Sequence, residues 1–186
     1  MTSEEFDLPL IFKALKFSAD KHRNQRRKDG QASPYINHPI DVAEILCRVG
    51  QVRDTNVLIA AILHDTIEDT DTTPDEIEAM FGSAALAMVL EVTDDKRLPK
   101  QARKQLQIEM APHKSDGAKL IKLADKISNL HDIANSPPAD WPLQRKIEYL
   151  DWTERVVAGL RGVNKNLEDF YDETLRMARA KVGGQG

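Results

Sequence analysis

The sequence has little of three features on which many protein classes depend: cysteine, long apolar runs and an excess of basic charge. Its one cysteine, Cys47, excludes an intramolecular disulfide and so the small secreted scaffolds that rely on disulfides. The longest apolar run, residues 57–63, is far shorter than the roughly 20 residues that span a bilayer. Lysine and arginine number 26 against 30 acidic residues, a net charge of −4, which argues against a general nucleic-acid coat.

Length and composition favour one folded domain. The chain has 186 residues, of which 41% are hydrophobic and 30% are charged, and a domain typically contains about 100–200 residues. Residues 1–10 are acidic and lack the apolar core of a signal peptide. We therefore expect one cytoplasmic domain over residues 1–182, followed by a flexible tail over residues 183–186. We expect no membrane partner and no nucleic-acid partner, and the oligomeric state stays open.

The apolar residues recur with the period of an α-helix, and no segment shows sustained alternation with β-branched residues. Residues 73–76, TPDE, form a capping box, Gly82 ends the helix that follows, and Pro39 is placed to open an earlier helix. The apolar segment 57–63 is predicted as a buried helix, with a strand as the alternative. Longer helices are predicted at residues 101–110, 117–132, 143–160 and 165–182. The sequence thus predicts an all-α fold, a single bundle of roughly 8–10 helices.

Ionisable side chains follow directly on that buried segment, in the run LHDTIED. Residues four apart share a face of a helix, so a continuous helix here places His64 over Glu68 and Asp65 over Asp69. Charged groups at the edge of a core are costly in desolvation unless a partner compensates, and a divalent cation accepts imidazole and carboxylate together. The alternative is an ordinary hydrogen-bonded His64–Asp65 pair at a helix end.

Two further residues strengthen the interpretation as a metal site. His38 lies where a loop meets the helix predicted from Pro39, although a helix N-cap or a surface histidine explains it as well. Asp125 interrupts a strongly apolar helix, where the alternatives are a solvated face or pairing with a neighbouring lysine. With His64 and Asp65 these residues form a set of two nitrogen and two oxygen donors. Such a set suits manganese or iron better than a closed structural zinc site, which prefers thiolates.

A second candidate site is basic. Residues 21–28, KHRNQRRK, hold five cationic side chains and no acid. A solvated helix end explains such a run, because basic residues complement the helix dipole there. A phosphate clamp explains it too, since arginine and lysine bind phosphate oxygens; the nearness of His38 favours this reading. Lys100, in a predicted loop, adds positive charge, and Tyr35 and Tyr149 are candidates for stacking on a base or contacting a phosphate.

Four segments together resemble one known family. The runs RRKDGQASPYINHP, AAILHDTIEDTDTT, VTDDKRLPK and GAKLIKLADKISNL are similar, in this order, to the hydrolase domain of the RelA/SpoT family. That domain belongs to the HD superfamily of phosphohydrolases. The resemblance is closest to the small, stand-alone members called metazoan SpoT homologues, and it covers about residues 21–160. A bare His-Asp pair is weak evidence, whereas four motifs in the right order are specific.

The resemblance implies an all-helical HD domain and roles for particular residues. It implies a Mn²⁺ ion, with Fe²⁺ or another divalent ion as the alternative, held by His38, His64, Asp65 and Asp125. Glu68 and Asp69 would be the acid/base pair that activates water, without a decision as to which is the acid. The residues implied to face the nucleotide and its phosphates are Arg27, Lys28, Lys100, Asn129, Arg145 and Tyr149. Tyr35 joins this group on the stacking argument above.

The substrate implied by the resemblance is guanosine tetra- or pentaphosphate, ppGpp or pppGpp. Removal of its 3′-pyrophosphate would leave GDP or GTP. Long family members add a synthetase half, for which 186 residues leave no room, so we expect degradation without synthesis. Two alternatives stay open: hydrolysis of another phosphorylated nucleotide, such as a deoxynucleoside monophosphate or an NADPH-like compound, and a module that binds the alarmone without hydrolysing it.

Overall fold

Helices make up all the regular secondary structure in residues 6–184, the part of the chain that the computed structural model describes. In chain order the ten α-helices are α1 (Leu8–Lys21), α2 (Asn37–Arg48), α3 (Thr55–Leu63), α4 (Thr66–Asp69), α5 (Pro74–Phe81), α6 (Ser83–Val92), α7 (Lys100–Met110), α8 (Asp116–Asn135), α9 (Leu143–Ala158) and α10 (Lys165–Gly183). A 3₁₀ turn, Ala111–His113, follows α7, and one isolated β-bridge joins Arg26 and Pro34. The predicted all-α fold is confirmed.

Local signals set several helix ends as predicted. The Thr73 hydroxyl accepts a hydrogen bond from the Glu76 backbone N–H at 3.2 Å, and the Glu76 carboxylate accepts one from the Thr73 N–H at 2.8 Å. This reciprocal capping box satisfies two of the free N–H groups that open α5. Gly82 ends α5 with a φ of 88°, in the left-handed region that favours glycine. The segment 57–63 belongs to helix α3, and the alternative of a strand is wrong.

The chain departs from the predicted helices around the ionisable run. No continuous helix carries His64 and Asp65 into Glu68: α3 ends at Leu63, and the one-turn helix α4 begins at Thr66. The Thr66 hydroxyl donates to the carbonyl of Leu63 at 2.7 Å, and His64 Nδ1 lies 2.7 Å from the carbonyl of Ala61. These side chains bind carbonyls that a longer helix would use, and so they compete with its continuation.

The core forms around two central helices, α3 and α8. Helix α3 packs against α1, α2, α6 and α8, and α8 also packs against α2, α9 and α10. Every residue from Val57 to Leu63 is buried, as expected for a short helix that is apolar all round. Helix α8 is also buried along much of its length, but it carries the charged Lys122, Asp125 and Lys126 below 8% exposure. Charges so deep in a fold need partners, which directs attention to the middle of α8.

Other boundaries shift by one to three residues. Helix α2 begins at Asn37 rather than at Pro39, so His38 lies inside its first turn, and Lys100 is the first residue of α7 rather than part of a loop. Helix α10 reaches Gly183, one residue into the predicted flexible tail. The end of that tail, residues 185–186, and the acidic start, residues 1–5, lie outside the described part. Between residues 6 and 184, no helix has the length and apolarity needed to cross a membrane.

Candidate metal centre and active site

Three parts of the fold bring two imidazoles and two carboxylates together. His38 comes from the first turn of α2, His64 and Asp65 from the break between α3 and α4, and Asp125 from the middle of α8. His38 Nε2 lies 3.2 Å from Asp125 Oδ1 and 3.8 Å from Asp65 Oδ2. His64 Nε2 lies 3.0 Å from Asp65 Oδ2 and 4.0 Å from Asp125 Oδ1. The four residues predicted as metal ligands therefore face one small volume.

Both imidazoles are oriented by a partner on their other nitrogen. His64 Nδ1 lies 2.7 Å from the Ala61 carbonyl, which only accepts, so Nδ1 carries the proton and donates it. His38 Nδ1 lies 3.0 Å from the Ser128 hydroxyl of α8. In each ring the Nε2 atom is thus the one turned toward the carboxylates. This is the arrangement by which metal-binding histidines are held in place.

The donor set fits a divalent cation. Within residues 6–184, only His38, His64 and Asp65 form a group of at least three metal-ligating side chains whose donor atoms all lie within 4.8 Å of one another, and Asp125 borders it. His64 Nε2 is buried without a hydrogen-bond partner. Burial lowers the pKa of His64, but the charges of Asp65 and Asp125 outweigh it and raise that pKa to about 9. The pocket thus favours a positive charge, which a cation supplies in place of the proton.

The two carboxylates are held as anions by donors of their own. The Tyr35 hydroxyl donates to Asp65 Oδ2 at 2.5 Å. Asp125 accepts from Lys126 Nζ at 3.0 Å and from Asn129 Nδ2 at 2.6 Å. Burial raises the pKa of Asp125, yet the positive charge of Lys126 and its neighbours brings it well below its usual range. Pairing with lysine, the alternative for Asp125, is therefore present beside the imidazole contacts.

Glu68 and Asp69 lie on α4, next to the four donors, in different surroundings. Glu68 is half-buried; its Oε2 accepts from the Asp94 N–H at 3.0 Å, and Arg103 Nη1 lies 3.8 Å from its Oε1. Burial raises the pKa of Glu68, and the nearby carboxylates raise it further. Asp69 accepts from Gln25 Nε2 at 2.9 Å and pairs with Lys96. A carboxyl with a raised pKa is suited to exchange a proton near neutral pH.

A cavity of about 290 Å³ opens beside the four donors. Of the residues predicted to face a substrate, this cavity is lined by Arg27, Lys28, Tyr35, Asn129 and Tyr149. Tyr149 stands between two indole rings, with centroid distances of 5.5 Å to Trp141 and 5.4 Å to Trp152. The rings are tilted to one another, by 59° and 54°, and the two that line this cavity, Trp141 and Tyr149, each offer an aromatic surface that a nucleobase can contact.

A second cavity, of about 570 Å³, is rich in positive charge. Its lining includes two acidic residues and five cationic residues. The cationic residues are Lys28, Lys100, Arg103, Lys104 and Arg145. Partial burial lowers the pKa of Lys100, as do the charges of Arg145, Lys28 and Arg103. Lys28 and Tyr149 also line the first cavity, so the two cavities are neighbours. Crowded cations of this kind are stabilised by an anionic ligand such as phosphate.

The basic run 21–28 does not act as one clamp. Lys21 pairs with Asp71 and Glu76, both at 3.1 Å. Arg27 turns toward α8, where its guanidinium pairs with Asp132 and donates to Asn129 at 3.1 Å. A phosphate contact by Arg27 and Lys28, which line the first cavity, stays a prediction, whereas Lys21 is engaged by acids elsewhere.

The sequence-based reasoning missed several residues of this site. His22 had no recognisable partner pattern, Gln25 was treated only as part of the basic run, and Ser128 carried no signal. Arg103 and Lys104 follow Lys100 on the same helix, and helical spacing could have drawn attention to them. The partners of Gln25 and Ser128, Asp69 and His38, are distant in sequence, so no local pattern marks these two residues. His22 contacts Gln25, only three residues away, but this pair matters for the site only through Asp69.

The comparisons with known proteins fit this geometry. A sequence profile described as an HD domain matches residues 14–150. The chain belongs to the HD domain family. Within this family it is 55% identical over 166 residues to guanosine-3′,5′-bis(diphosphate) 3′-pyrophosphohydrolase MESH1 of Xenopus tropicalis, with 89% of this chain and 93% of the relative covered. Human MESH1 is 55% identical over 159 residues, covering 86% and 89% of the two chains.

Two solved structures have a similar fold. One, described as a metazoan ortholog of SpoT that hydrolyzes ppGpp and plays a role in starvation responses, has a TM-score of 0.89 and 47% identity, covering 92% of this chain and 97% of the other. Another, lmo0812 from Listeria monocytogenes, has a TM-score of 0.64 and 29% identity, covering 78% and 99%. The resemblance to stand-alone SpoT homologues is confirmed.

Proposed function

We propose that this HD-family hydrolase removes the 3′-pyrophosphate of ppGpp and pppGpp, leaving GDP or GTP, with Mn²⁺ as its cofactor and without synthetase activity. One observation carries the proposal: the two histidines and two aspartates converge beside a carboxylate pair and two cavities, in a chain similar over most of its length to MESH1 enzymes named for this reaction. We also propose that residues 1–182 form one catalytic domain and that it acts in the cytoplasm.

His38, His64, Asp65 and Asp125 would hold the cation. Two imidazole nitrogens and two carboxylate oxygens, with no thiolate, suit Mn²⁺ or Fe²⁺. When bound, a divalent cation lowers the pKa of a bound water molecule and polarises a phosphoryl oxygen. The chain contributes rigidity: Ala61 and Ser128 orient the rings, and Tyr35, Lys126 and Asn129 orient the carboxylates. Fixed ligands reduce the reorganisation needed during the reaction.

Glu68 and Asp69 would move the proton. The raised pKa of Glu68 favours its carboxylate as the group that takes a proton from the attacking water and returns it later. Asp69, held by Gln25 and Lys96, would position that water. The assignment of acid and base within the pair is part of the proposal.

The two cavities would divide the nucleotide between them. Tyr149, with Trp141 beside it, would contact the guanosine, and Asn129 links this cavity to Asp125. Lys28, Lys100 and Arg145 would neutralise the charge of the phosphates. This matters because phosphoryl transfer is accelerated mostly by positioning and by electrostatic stabilisation. Arg27 would shape the wall, because Asp132 already engages its guanidinium.

The test is release of pyrophosphate from ppGpp by the purified chain, with Mn²⁺ and with excess EDTA. We expect turnover with Mn²⁺ that EDTA abolishes, and no ppGpp formed from GDP and ATP. Asp65→Ala should lose Mn²⁺ binding and turnover together. Glu68→Gln should retain Mn²⁺ and lose about 100-fold or more in kcat, the scale of general acid–base catalysis. Glu173→Gln, on the exposed face of α10, is the matched control and should match the wild type.

Parallel assays that quantify the product of each candidate substrate, orthophosphate or nucleotide as well as pyrophosphate, separate the alternatives. Faster turnover of a deoxynucleoside monophosphate, a cyclic nucleotide or NADPH than of ppGpp would assign another substrate. Tight, stoichiometric ppGpp binding without pyrophosphate release would show a binding module. A Glu68→Gln variant with the wild-type rate would remove Glu68 from the proposed pair.

A further inference from the structure

A chain of hydrogen bonds leads from the end of α1 to the carboxylate of Asp69. His22, the residue that caps α1, places Nδ1 2.7 Å from Gln25 Oε1. Gln25 Nε2 donates in turn to Asp69 Oδ2 at 2.9 Å. His22 is 2% exposed, and its ring packs on Tyr35 with centroids 4.8 Å apart. Burying an imidazole is costly unless it is hydrogen-bonded, and the contact with half-buried Gln25 offsets part of this cost.

The chemistry of the three groups fixes the direction of the chain. An ionised carboxylate only accepts hydrogen bonds, so the amide of Gln25 must present its NH₂ group to Asp69. Its oxygen then faces His22, which must donate from Nδ1. Burial lowers the pKa of His22, so the ring is neutral near pH 7, with its proton on Nδ1. Its Nε2 atom is buried without a hydrogen-bond partner in the described part of the chain.

The other partner of Asp69 holds it less firmly. Lys96 belongs to the loop between α6 and α7, and its side chain is 50% exposed. An exposed lysine pairs weakly and gains little from geometry. The backbone of Gln25 is held at both ends. Its backbone N–H donates to the backbone carbonyl of His22 at 2.9 Å, and its backbone carbonyl accepts from the backbone N–H of Tyr35 at 3.2 Å. The amide of Gln25 is therefore the firmer of the two partners of Asp69.

We infer that His22 and Gln25 are positioning residues that set the orientation of the Asp69 carboxylate. His22 fixes the rotamer of the Gln25 amide, and the amide fixes Asp69. The inference rests on the proposed role of Asp69 in hydrolysis. Gln25 also lines the first cavity, and His22 also packs on Tyr35. A loss of kcat at unchanged KM and Mn²⁺ affinity therefore distinguishes action through Asp69 from these other contacts.

The kinetic test compares substitutions along the chain, using the full-length protein, Mn²⁺ and ppGpp. Gln25→Leu and His22→Phe keep size or ring and remove the hydrogen bonds. We expect each to lower kcat about 10–100-fold, the usual effect of an outer partner, with KM and Mn²⁺ affinity within about twofold. His22→Asn keeps a donor near the position of Nδ1 and should restore most of the kcat. Gln105→Leu, on the exposed side of α7, is the control.

A double-mutant cycle separates positioning from general damage. Combined with Asp69→Ala, Gln25→Leu should cause no further loss in kcat, because the group that it positions is gone. The inference would be overturned if the kcat losses of the two single variants multiplied in the double variant. It would also be overturned if Gln25→Leu kept the wild-type rate while Asp69→Ala was slow. A wild-type rate for Asp69→Ala would instead contradict the proposed role of Asp69. Thermal denaturation of each variant identifies those that fail to fold.

A second measurement needs neither activity nor substitution. Long-range ¹H–¹⁵N NMR spectra of the wild type, with diamagnetic Mg²⁺ in place of Mn²⁺, report which ring nitrogen of His22 carries the proton. Free neutral histidine favours the proton on Nε2, so we expect the opposite tautomer for His22, with the proton on Nδ1. A proton on Nε2 would break the chain at its first bond and overturn the inference whatever the enzyme hydrolyses.

Discussion

Tyr35→Phe removes one hydroxyl and leaves the rest of the metal centre in place. That hydroxyl donates to Asp65 Oδ2 at 2.5 Å, while the ring packs on His22 and His38. Two effects of the loss oppose each other. The carboxylate becomes more basic, which strengthens it as a ligand, but it also becomes free to rotate away from the imidazoles. We expect orientation to dominate, because loss of an outer partner usually weakens metal binding.

The size of the effect follows from the bond that is lost. A hydrogen bond to a charged group contributes about 1.5–3 kcal/mol, and about 1.4 kcal/mol is a factor of ten in affinity. Tyr35→Phe should therefore weaken Mn²⁺ binding about 10–100-fold. At a Mn²⁺ concentration of about 100 times the wild-type Kd, the ion stabilises the wild type by about 2.7 kcal/mol. A variant that binds about 30-fold more weakly keeps only about 0.9 kcal/mol of this.

The assay is titration with Mn²⁺, with the free ion followed by electron paramagnetic resonance, and thermal denaturation with and without the ion. For a chain of this size about 1 kcal/mol shifts Tm by roughly 2–4 °C, so the Mn²⁺-dependent rise in Tm should fall by roughly 4–8 °C. Tyr149→Phe is the matched control, since Tyr149 lines the same cavity without a hydrogen bond to Asp65 or Asp125 in the described residues. Mn²⁺ affinity within twofold of the wild type in Tyr35→Phe would refute the reasoning.

Three further substitutions probe the acid/base pair, the cationic cavity and the packing of the bundle. Burial raises the pKa of Glu68 above its unfolded value, so its contribution to stability is present at low pH and is lost as pH rises through the folded pKa. Metal-free Glu68→Gln should thus have a higher Tm than the wild type at pH 7–8, a gain that disappears near pH 4; an equal gain at both pH values would contradict this. Lys100→Ala should raise the KM for ppGpp about tenfold, less at high salt, with a smaller change in kcat; initial rates at two salt concentrations measure this, and an unchanged KM would count against Lys100 as a phosphate contact. Gly159→Ala places a methyl group 2.8 Å from Ala111 Cβ and 2.9 Å from Pro112 Cδ, so urea denaturation should show a loss of about 1–3 kcal/mol, whereas Gly30→Ala, with open space around it, should not.

Much of the candidate site could be read from the sequence because its residues stand out from their surroundings. Asp125 is an acid within an apolar helix, and His64 and Asp65 directly follow a wholly buried segment. The structure brings both to His38, as predicted. The neighbours that hold these ligands could not be predicted, since Ser128 lies 90 residues from His38 and Tyr35 lies 30 residues from Asp65.

The substrate cavities show the same limit. Lys28 and Arg27 are adjacent in sequence, but Lys28 lines both cavities, whereas the guanidinium of Arg27 is turned toward Asp132 on α8. Sequence alone presented them as one basic run. The difference arises from the turn after α1, whose backbone is tied to the loop before α2 through the N–H of Arg27 and the carbonyl of Ser33, at 2.8 Å.

The sequence by itself determined what depends on neighbours along the chain: the all-α fold, the capping box at Thr73, the stop at Gly82 and the ionisable residues that stand out as candidate metal ligands. Helical period and capping are local effects, because they involve residues within a turn or two of one another. Only the tertiary structure decided where α3 ends before His64, which cations face the cavities, and how Gln25 reaches Asp69. Side-chain hydrogen bonds and packing between distant segments set these features, and such contacts leave no periodic trace in the sequence.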